Sequence, residues 1–358
     1  MSAFEKLVVA DVQPLTAQAC SVSFAVPDEL REQFAFHPGQ HLTLRTVSAT
    51  GEERRTYSIC STATELTEDG RVRIGVKRIP DGSFSGWLTS RLRHGDTVEV
   101  MAPAGRFGTS TSAANARHVG CIAAGSGITP VLSIAASVLR EEPDSRVTLV
   151  YGNRTSNDVM FLEELADLKN TYPARFTLLH VLSAEPQLSE LLTGRIDAGK
   201  VATLRDSVCL DVDAWYLCGP FGMVSVARET LVAGGVAEAD IHAELFYVSE
   251  ANEEAPVDVL PLTSDQQLSQ VTVTLAGRTS TVPVGYAGPS ILDAVLANRP
   301  DAPYACKGGV CGTCRAKVTV GAVAMARNYA LEPEEIETGL VLACQSHPVT
   351  PEVSLEFA

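Results

Sequence analysis

Over the first hundred positions, hydrophobic and β-branched residues come in short alternating runs. Cys20–Val26, Gln40–Val47 and Arg71–Ile79 are such runs, and Pro38-Gly39, Asp69-Gly70 and Asp81-Gly82 separate them. Period-two runs broken by turn pairs predict an antiparallel β-barrel, here over 1–112. From Arg117 the rhythm changes. Apolar strand-like runs at His118–Ala124, Arg146–Tyr151, Phe176–Leu182, Ala214–Cys218 and Ile241–Phe246 alternate with helix-like runs from Pro130, over Val159–Asn170 and from Met223. That alternation predicts an α/β domain with a parallel sheet over 113–248. The polar stretch 249–268, with Glu250, Glu253, Glu254 and Pro256, predicts a linker. Beyond it, Val271–Leu275 and Thr279–Val284 flank Ala276-Gly277-Arg278 as a hairpin, and Ser290 caps a helix carrying Ile291, Leu292, Val295 and Leu296. Strands are predicted at Arg315–Val320 and Leu340–Cys344. The chain is thus multidomain, with a small α+β domain over 269–358.

Val119–Leu139 carries no charge and is long enough to span a bilayer. Gly125, Gly127 and Pro130 interrupt it, and its composition passes from strand type to helix type, so it reads as a strand-turn-helix unit. The start, Met1-Ser-Ala-Phe-Glu-Lys, lacks the basic and apolar regions of a signal peptide, and a cytoplasmic location is expected. With 358 residues, 45% of them hydrophobic, the chain can build ordinary buried cores. Its formal charge of −15 disfavours nucleic acid and anionic membranes as partners. A protein partner or a small anion in a locally basic pocket fits that charge better.

Cys306, Cys311 and Cys314, followed by Cys344, give the spacing C-x4-C-x2-C…C. That is the plant-type 2Fe–2S ligand pattern. Gly308, Gly309, Gly312 and Thr313 let backbone amides turn towards sulfur, where hydrogen bonds help set a cluster's potential. A structural zinc site is the competing reading, although it usually prefers two C-x2-C pairs. The other five cysteines, Cys20, Cys60, Cys121, Cys209 and Cys218, lie in apolar contexts as reduced core residues.

Two further stretches suit anionic cofactors. In Arg55-Thr-Tyr57-Ser58-Ile59 an Arg can pair with a pyrophosphate, an aromatic ring can stack on a flavin and a hydroxyl can reach a ring nitrogen. Downstream, Gly82-Ser83-Phe-Ser85 enters a short helix whose free amides favour phosphate. The turn Gly125-Ser-Gly127-Ile-Thr129-Pro130 joins a buried strand to a helix, with Thr129 expected as N-cap and Pro130 in the first helical position. It departs from G-x-G-x-x-G where Pro130 stands. At the end of the next strand Arg154 and Thr155 precede any acid. A 2′-phosphate usually meets an Arg and a 2′-hydroxyl an acid, so NADPH is expected over NADH.

The R-x-Y-S strand, the Gly/Ser helix start, G-x-G-x-T-P and Cys218-Gly219-Pro220 together resemble the ferredoxin–NADP reductase superfamily. By that resemblance Arg55 and Ser85 hold the FAD pyrophosphate, Tyr57 lies on the flavin with Ser58 near its reactive nitrogen, and Ile59, Gly82 and Ser83 line the same site. The glycine turn receives the dinucleotide, Cys218, Gly219 and Pro220 stand beside the nicotinamide, and Glu244 and Phe246 approach the flavin edge. Tyr57, Ser58, Cys218 and Glu244 are the catalytic candidates. The C-terminal part resembles plant-type ferredoxins with their β-grasp arrangement. The domain order is shared by reductase components of bacterial oxygenases. His37-Pro-Gly-Gln-His, Tyr151-Gly-Asn-Arg-Thr-Ser, Pro303-Tyr-Ala-Cys-Lys-Gly-Gly-Val-Cys and Asn328-Tyr-Ala-Leu-Glu-Pro-Glu-Glu are similar to the family of phenylacetyl-CoA epoxidase reductase subunits. The resemblance implies electron flow from NADPH through FAD and the cluster to a di-iron oxygenase, with another aromatic-ring oxygenase, or a self-contained flavin or quinone reductase, as the alternative.

Overall fold

A computed structural model describes residues 4–48, 51–80, 82–247, 268–331 and 333–357. Contacts divide these into two units: 4–53 with 57–247, and 268–357 with the strand residues 54–56. The expected linker, but for its last residue, lies outside the described residues.

The N-terminal elements are β1 (Phe4–Thr16), β2 (Ala19–Ala25), β3 (His41–Ser48), β4 (Gly51–Ser58), α1 (Ala63–Asp69), β5 (Arg71–Lys77), α2 (Ser83–Ser90) and β6 (Thr97–Met101). They form a six-stranded sheet in the order β4-β3-β6-β1-β2-β5, with antiparallel pairing. Ile59 bridges to Ile74 just past the end of β4, which brings the two edge strands together. Alternation does the packing: Leu7 and Val9, Val22 and Phe24, Leu42 and Leu44, Val72, Ile74 and Val76, and Val98 and Val100 share one core. Phe84 and Leu88 of α2 join it. The helix α1 was not foreseen, because only Leu66 of its seven residues is buried. A capping box holds it instead, with Thr62 and Glu65 each bonding the other's backbone, an arrangement worth about 1 kcal/mol.

The next elements are β7 (His118–Ala124), α3 (Ile128–Glu141), β8 (Arg146–Asn153), α4 (Leu162–Thr171), β9 (Phe176–Leu182), α5 (Ala198–Ser207), β10 (Ala214–Pro220), α6 (Phe221–Ala233) and β11 (Ile241–Tyr247). All five strands run parallel, in the order β11-β10-β7-β8-β9. The chain reverses direction across the sheet beside β7, and open α/β sheets bind ligands at such a point, at the carboxyl ends of the strands. Thr129 is not the N-cap of α3. The helix starts at Ile128, and the buried Thr129 hydroxyl donates to the Ser126 carbonyl 3.0 Å away. Pro130 is tolerated in this first turn, where its missing N–H would have no intrahelical partner.

Barrel and α/β sheet share side chains. Ala19, Cys60 and Phe107 belong to the same core as Val131, Leu132 and Ile134 of α3. Arg73 makes a two-pronged ion pair with Glu164, at 2.8 and 2.6 Å. The buried Ser133 hydroxyl donates to the Ser61 carbonyl at 2.7 Å. Gly75 is required here, since a Cβ would stand 2.3 Å from the Thr129 methyl.

The second unit comprises β12 (Leu268–Leu275), β13 (Arg278–Gly285), α7 (Ile291–Leu296), β14 (Arg315–Val320), β15 (Val323–Met325), α8 (Pro333–Glu337), β16 (Leu340–Leu342), β17 (Ser346–Pro348) and β18 (Glu352–Phe357). Its main sheet runs β13-β12-β18-β14-β16, and β15 pairs with β17. The predicted hairpin turns on Ala276 and Gly277, both at positive φ, as a two-residue connection requires. Ser290 caps α7 by accepting from the Asp293 amide, as expected.

Candidate functional site

Ser58 ends β4, Cys218 and Glu244 lie opposite one another on β10 and β11, and the glycine turn follows β7. The Gly127 Cα sits so close to β10 that a Cβ would be 2.2 Å from the Cys218 carbonyl oxygen. The turn and the Cys218-Gly219-Pro220 strand end are therefore in backbone contact. Gly125 takes φ +54, and a Cβ there would face the Lys77 ammonium at 3.6 Å. Gly127 thus lets the turn pack on β10, and Gly125 leaves open space at the carboxyl ends of the parallel strands. Pro220 is exposed beside them and Phe246 packs partly against the shared core.

Ser58 is buried close enough to Glu244 to act on its carboxyl. Burial pushes the Glu244 carboxyl up to about 8, against the opposing effect of Ser58. Beside it lies His41, which the motif reading passed over. Its Nδ1 is 4.0 Å from Glu244 Oε1, and burial pushes the ring down to about 4. The two are neutral neighbours at pH 7 and not an ion pair. Glu244 Oε2 and His41 Nε2 are both buried without a hydrogen-bond partner. Orphaned polar atoms are costly, and a bound group with matching donors and acceptors would relieve them. Cys218 is fully buried, and its thiol is raised well above the ordinary value, first by burial and then by Glu244.

On the barrel, Tyr57 is half-buried with its ring centroid 6.1 Å from that of Phe84, and Phe84 meets Trp87 edge-on. Arg55 is exposed and donates to the Arg54 carbonyl. Gly82 precedes α2 as its N-cap, and Ser83 bonds the Glu53 carboxylate. Ser85 is buried, and its oxygen accepts from the Ile79 amide, which braces the turn before α2. Ile59 is a core residue. At the end of β8, Arg154 is exposed, with no ion pair found among the described residues. Thr155 instead bonds Asp158, and Glu185 bonds the Ser156 amide and hydroxyl. Asp158, the acid nearest Arg154 in sequence, and the more distant Glu185 are therefore engaged in shaping the loop.

In the second unit the four thiols stand in pairs. Cys306 and Cys311 shift each other's thiol in opposite directions, and so do Cys314 and Cys344. Among the described residues no three His, Cys, Asp or Glu side chains converge on one ion. Two pairs suit a binuclear cluster, each iron taking two thiolates, better than a single tetrahedral zinc. Cys306 is drawn down to about 5, first by the neighbouring Cys311 side chain and then, against its burial, by the amides of Gly308, Val310 and Cys311. Gly309 and Gly312 adopt φ +78 and +67, which aims the loop's amides inward.

An antiparallel barrel with its R-x-Y-S strand, a parallel sheet with a glycine turn and three thiols in one loop with Cys344 as a fourth define a flavin- and pyridine-nucleotide-dependent iron–sulfur oxidoreductase. Three family models match in that order: an oxidoreductase FAD-binding domain over 6–108, an oxidoreductase NAD-binding domain over 121–229 and a 2Fe-2S iron-sulfur cluster binding domain over 273–349. The chain belongs to the family of iron–sulfur flavoprotein reductase components that serve oxygenases. It is 44% identical to one of the subunits of the 1,2-phenylacetyl-CoA epoxidase of Escherichia coli, over 100% of this chain and 98% of that protein. Against the ferredoxin reductase component of Rhodococcus rhodochrous 3-ketosteroid-9-alpha-monooxygenase it is 37% identical, with 98% and 96% covered. Phthalate dioxygenase reductase shares the fold, with a TM-score of 0.59 at 21% identity and 99% and 98% covered. No helix among the described residues is long and apolar enough to cross a membrane.

Proposed function

We propose that this protein draws electrons from NADPH and passes them, through FAD and a 2Fe–2S cluster, to the di-iron oxygenase of a phenylacetyl-CoA epoxidase in the cytoplasm. The observation that carries the acceptor is the 44% identity, sustained along the whole chain, to a component of such an enzyme. Preference for NADPH is supported by an exposed Arg154, with Asp158 and Glu185 bonded to the loop that follows it.

When bound, the flavin supplies the step between a two-electron hydride and a one-electron cluster. The chain's own residues place and shelter it. Tyr57, fixed from behind by Phe84, offers a ring face for stacking. Gly125, Gly127 and the Cys218-Gly219 strand end permit backbone-close docking of the nicotinamide half. Glu244 holds a proton at neutral pH beside the Ser58 hydroxyl, and burial keeps water from Ser58 and from Glu244 Oε2. Arg55 and the start of α2 suit the flavin's pyrophosphate, and Cys306, Cys311, Cys314 and Cys344 would hold the irons.

Stopped-flow reduction by NADPH, followed by mixing with oxygenase subunits, tests the reading. Rapid cluster reoxidation and phenylacetyl-CoA epoxidation are expected with the epoxidase oxygenase, and neither with a ketosteroid monooxygenase oxygenase. Equal reoxidation by both, without epoxide, would sink the assignment.

A further inference from the structure

Cys344 lies thirty residues from Cys314 in sequence, and its neighbour Gln345 reaches back to the loop that carries the other ligands. The Gln345 Nε2 stands 2.8 Å from the Lys307 carbonyl oxygen, 3.0 Å from its neighbour's carbonyl oxygen and 3.7 Å from the Cys344 sulfur. Two N–H groups are thus shared among three acceptors, one of them a ligand sulfur.

The position is prepared from both sides. Lys307 takes φ +53, unusual for a residue with a side chain, and this turns its carbonyl towards Gln345. An ion pair of 2.7 Å from its ammonium to Asp293 secures that conformation. Asp293 is itself held by the Ser290 hydroxyl at 2.8 Å, at the start of α7. Gly309 leaves room for the glutamine stem, since a Cβ there would meet Gln345 Cγ at 3.1 Å.

We propose that Gln345 is a positioning and tuning residue of the iron–sulfur centre, latching the turn that carries Cys344 to the Cys306 loop and donating to the Cys344 sulfur so as to raise the cluster's reduction potential. The proposal rests on the reading of the four cysteines as cluster ligands. Reduction adds negative charge that spreads onto the thiolates, and an N–H donor stabilises the more negative state more. The same donor stiffens the link between two ligands that are far apart in sequence.

The test is an EPR-monitored redox titration of the full-length holoprotein. Gln345→Met keeps the stem over Gly309 and removes both donors. It is expected to lower the cluster's affinity for an electron about tenfold, or about 59 mV for a one-electron couple. Gln345→Lys restores a donor with charge, and its potential is expected at or above that of the unsubstituted protein. Midpoints unchanged in both variants, with normal iron and acid-labile sulfide, would overturn the proposal. If Gln345→Met fails to retain a cluster, pulsed EPR on the reduced, unsubstituted protein bearing side-chain 15N-glutamine decides the matter. A resolved coupling to that nitrogen supports the bond, and its absence overturns it. Absence of acid-labile sulfide from the unsubstituted protein is a different failure, that of the cluster reading itself.

Discussion

The proposed cluster loop and the proposed flavin–nicotinamide site are built on opposite plans. Three of the four cluster thiols lie within nine consecutive residues, and glycines at positive φ shape that segment. The other site draws His41 and Ser58 from the barrel and Cys218 and Glu244 from the parallel sheet, so it exists only where two domains share a core. A local site can be lost without harm to the rest, whereas a composite site inherits every strain at its seam. The Arg73–Glu164 pair and the Gly75–Thr129 contact are consequently as much a part of the second site as any side chain that faces a ligand.

Replacing any one of Cys306, Cys311, Cys314 and Cys344 with Ser is the strongest challenge to this contrast. Loss or gross perturbation of the cluster spectrum is expected, with flavin reduction by NADPH largely preserved. A variant that also loses bound flavin would show that the two sites are not separable.

Arg154→Ala probes a position outside the seam. A phosphate–Arg contact is worth ~1.5–3 kcal/mol, or about one to two powers of ten. The KM for NADPH is expected to rise by that factor, with KM for NADH and the saturated rate nearly constant. Should the NADPH to NADH ratio survive, Arg154 has no part in choosing the nucleotide.

The smallest effect belongs to Glu244→Gln, read by thermal unfolding across pH. Glu244 titrates near 8 when folded and near 4.3 when unfolded, so between those values the folded state binds the extra proton. Stability contributed by this group is therefore full below about 4.3 and declines as pH rises towards 8. Glutamine mimics the protonated form and removes the slope. Its Tm relative to the parent is expected to climb by a few degrees from pH 5 to pH 8.5, and a flat difference would mean that the carboxyl is not held protonated. Lowering the His41 ring to about 4 acts with opposite sign, adding slope between about 4 and 6.5, which is why the comparison is made variant against parent.

What could be read from the chain divides along the same line. Cys306 to Cys314, Arg55-Thr-Tyr57-Ser58 and the glycine turn stand out as candidates in the sequence because the chemistry proposed for them sits in adjacent residues. His41 was not, although His37-Pro-Gly-Gln-His stands out in the sequence. A histidine matters by what faces it, and Glu244 is some two hundred positions away. Thr129 misled for a related reason, since an N-cap and a first-turn hydroxyl look alike until the helix start is known. The helices α1 and α5 were invisible to periodicity because each buries only one or two residues. Val353, Leu355 and Phe357 do alternate, yet alternation carries no information about which strands will accept β18.

Where β18 goes governs the order of assembly. It lies between β12 and β14, parallel to one and antiparallel to the other, so the sheet's middle is supplied by residues 352–357. During synthesis the barrel and the α/β domain can close while this sheet still lacks its centre. Cys306, Cys311 and Cys314 must then wait, as unprotected thiols, for about forty more residues to be made. Iron and sulfide that arrived earlier would find a loop with no sheet behind it.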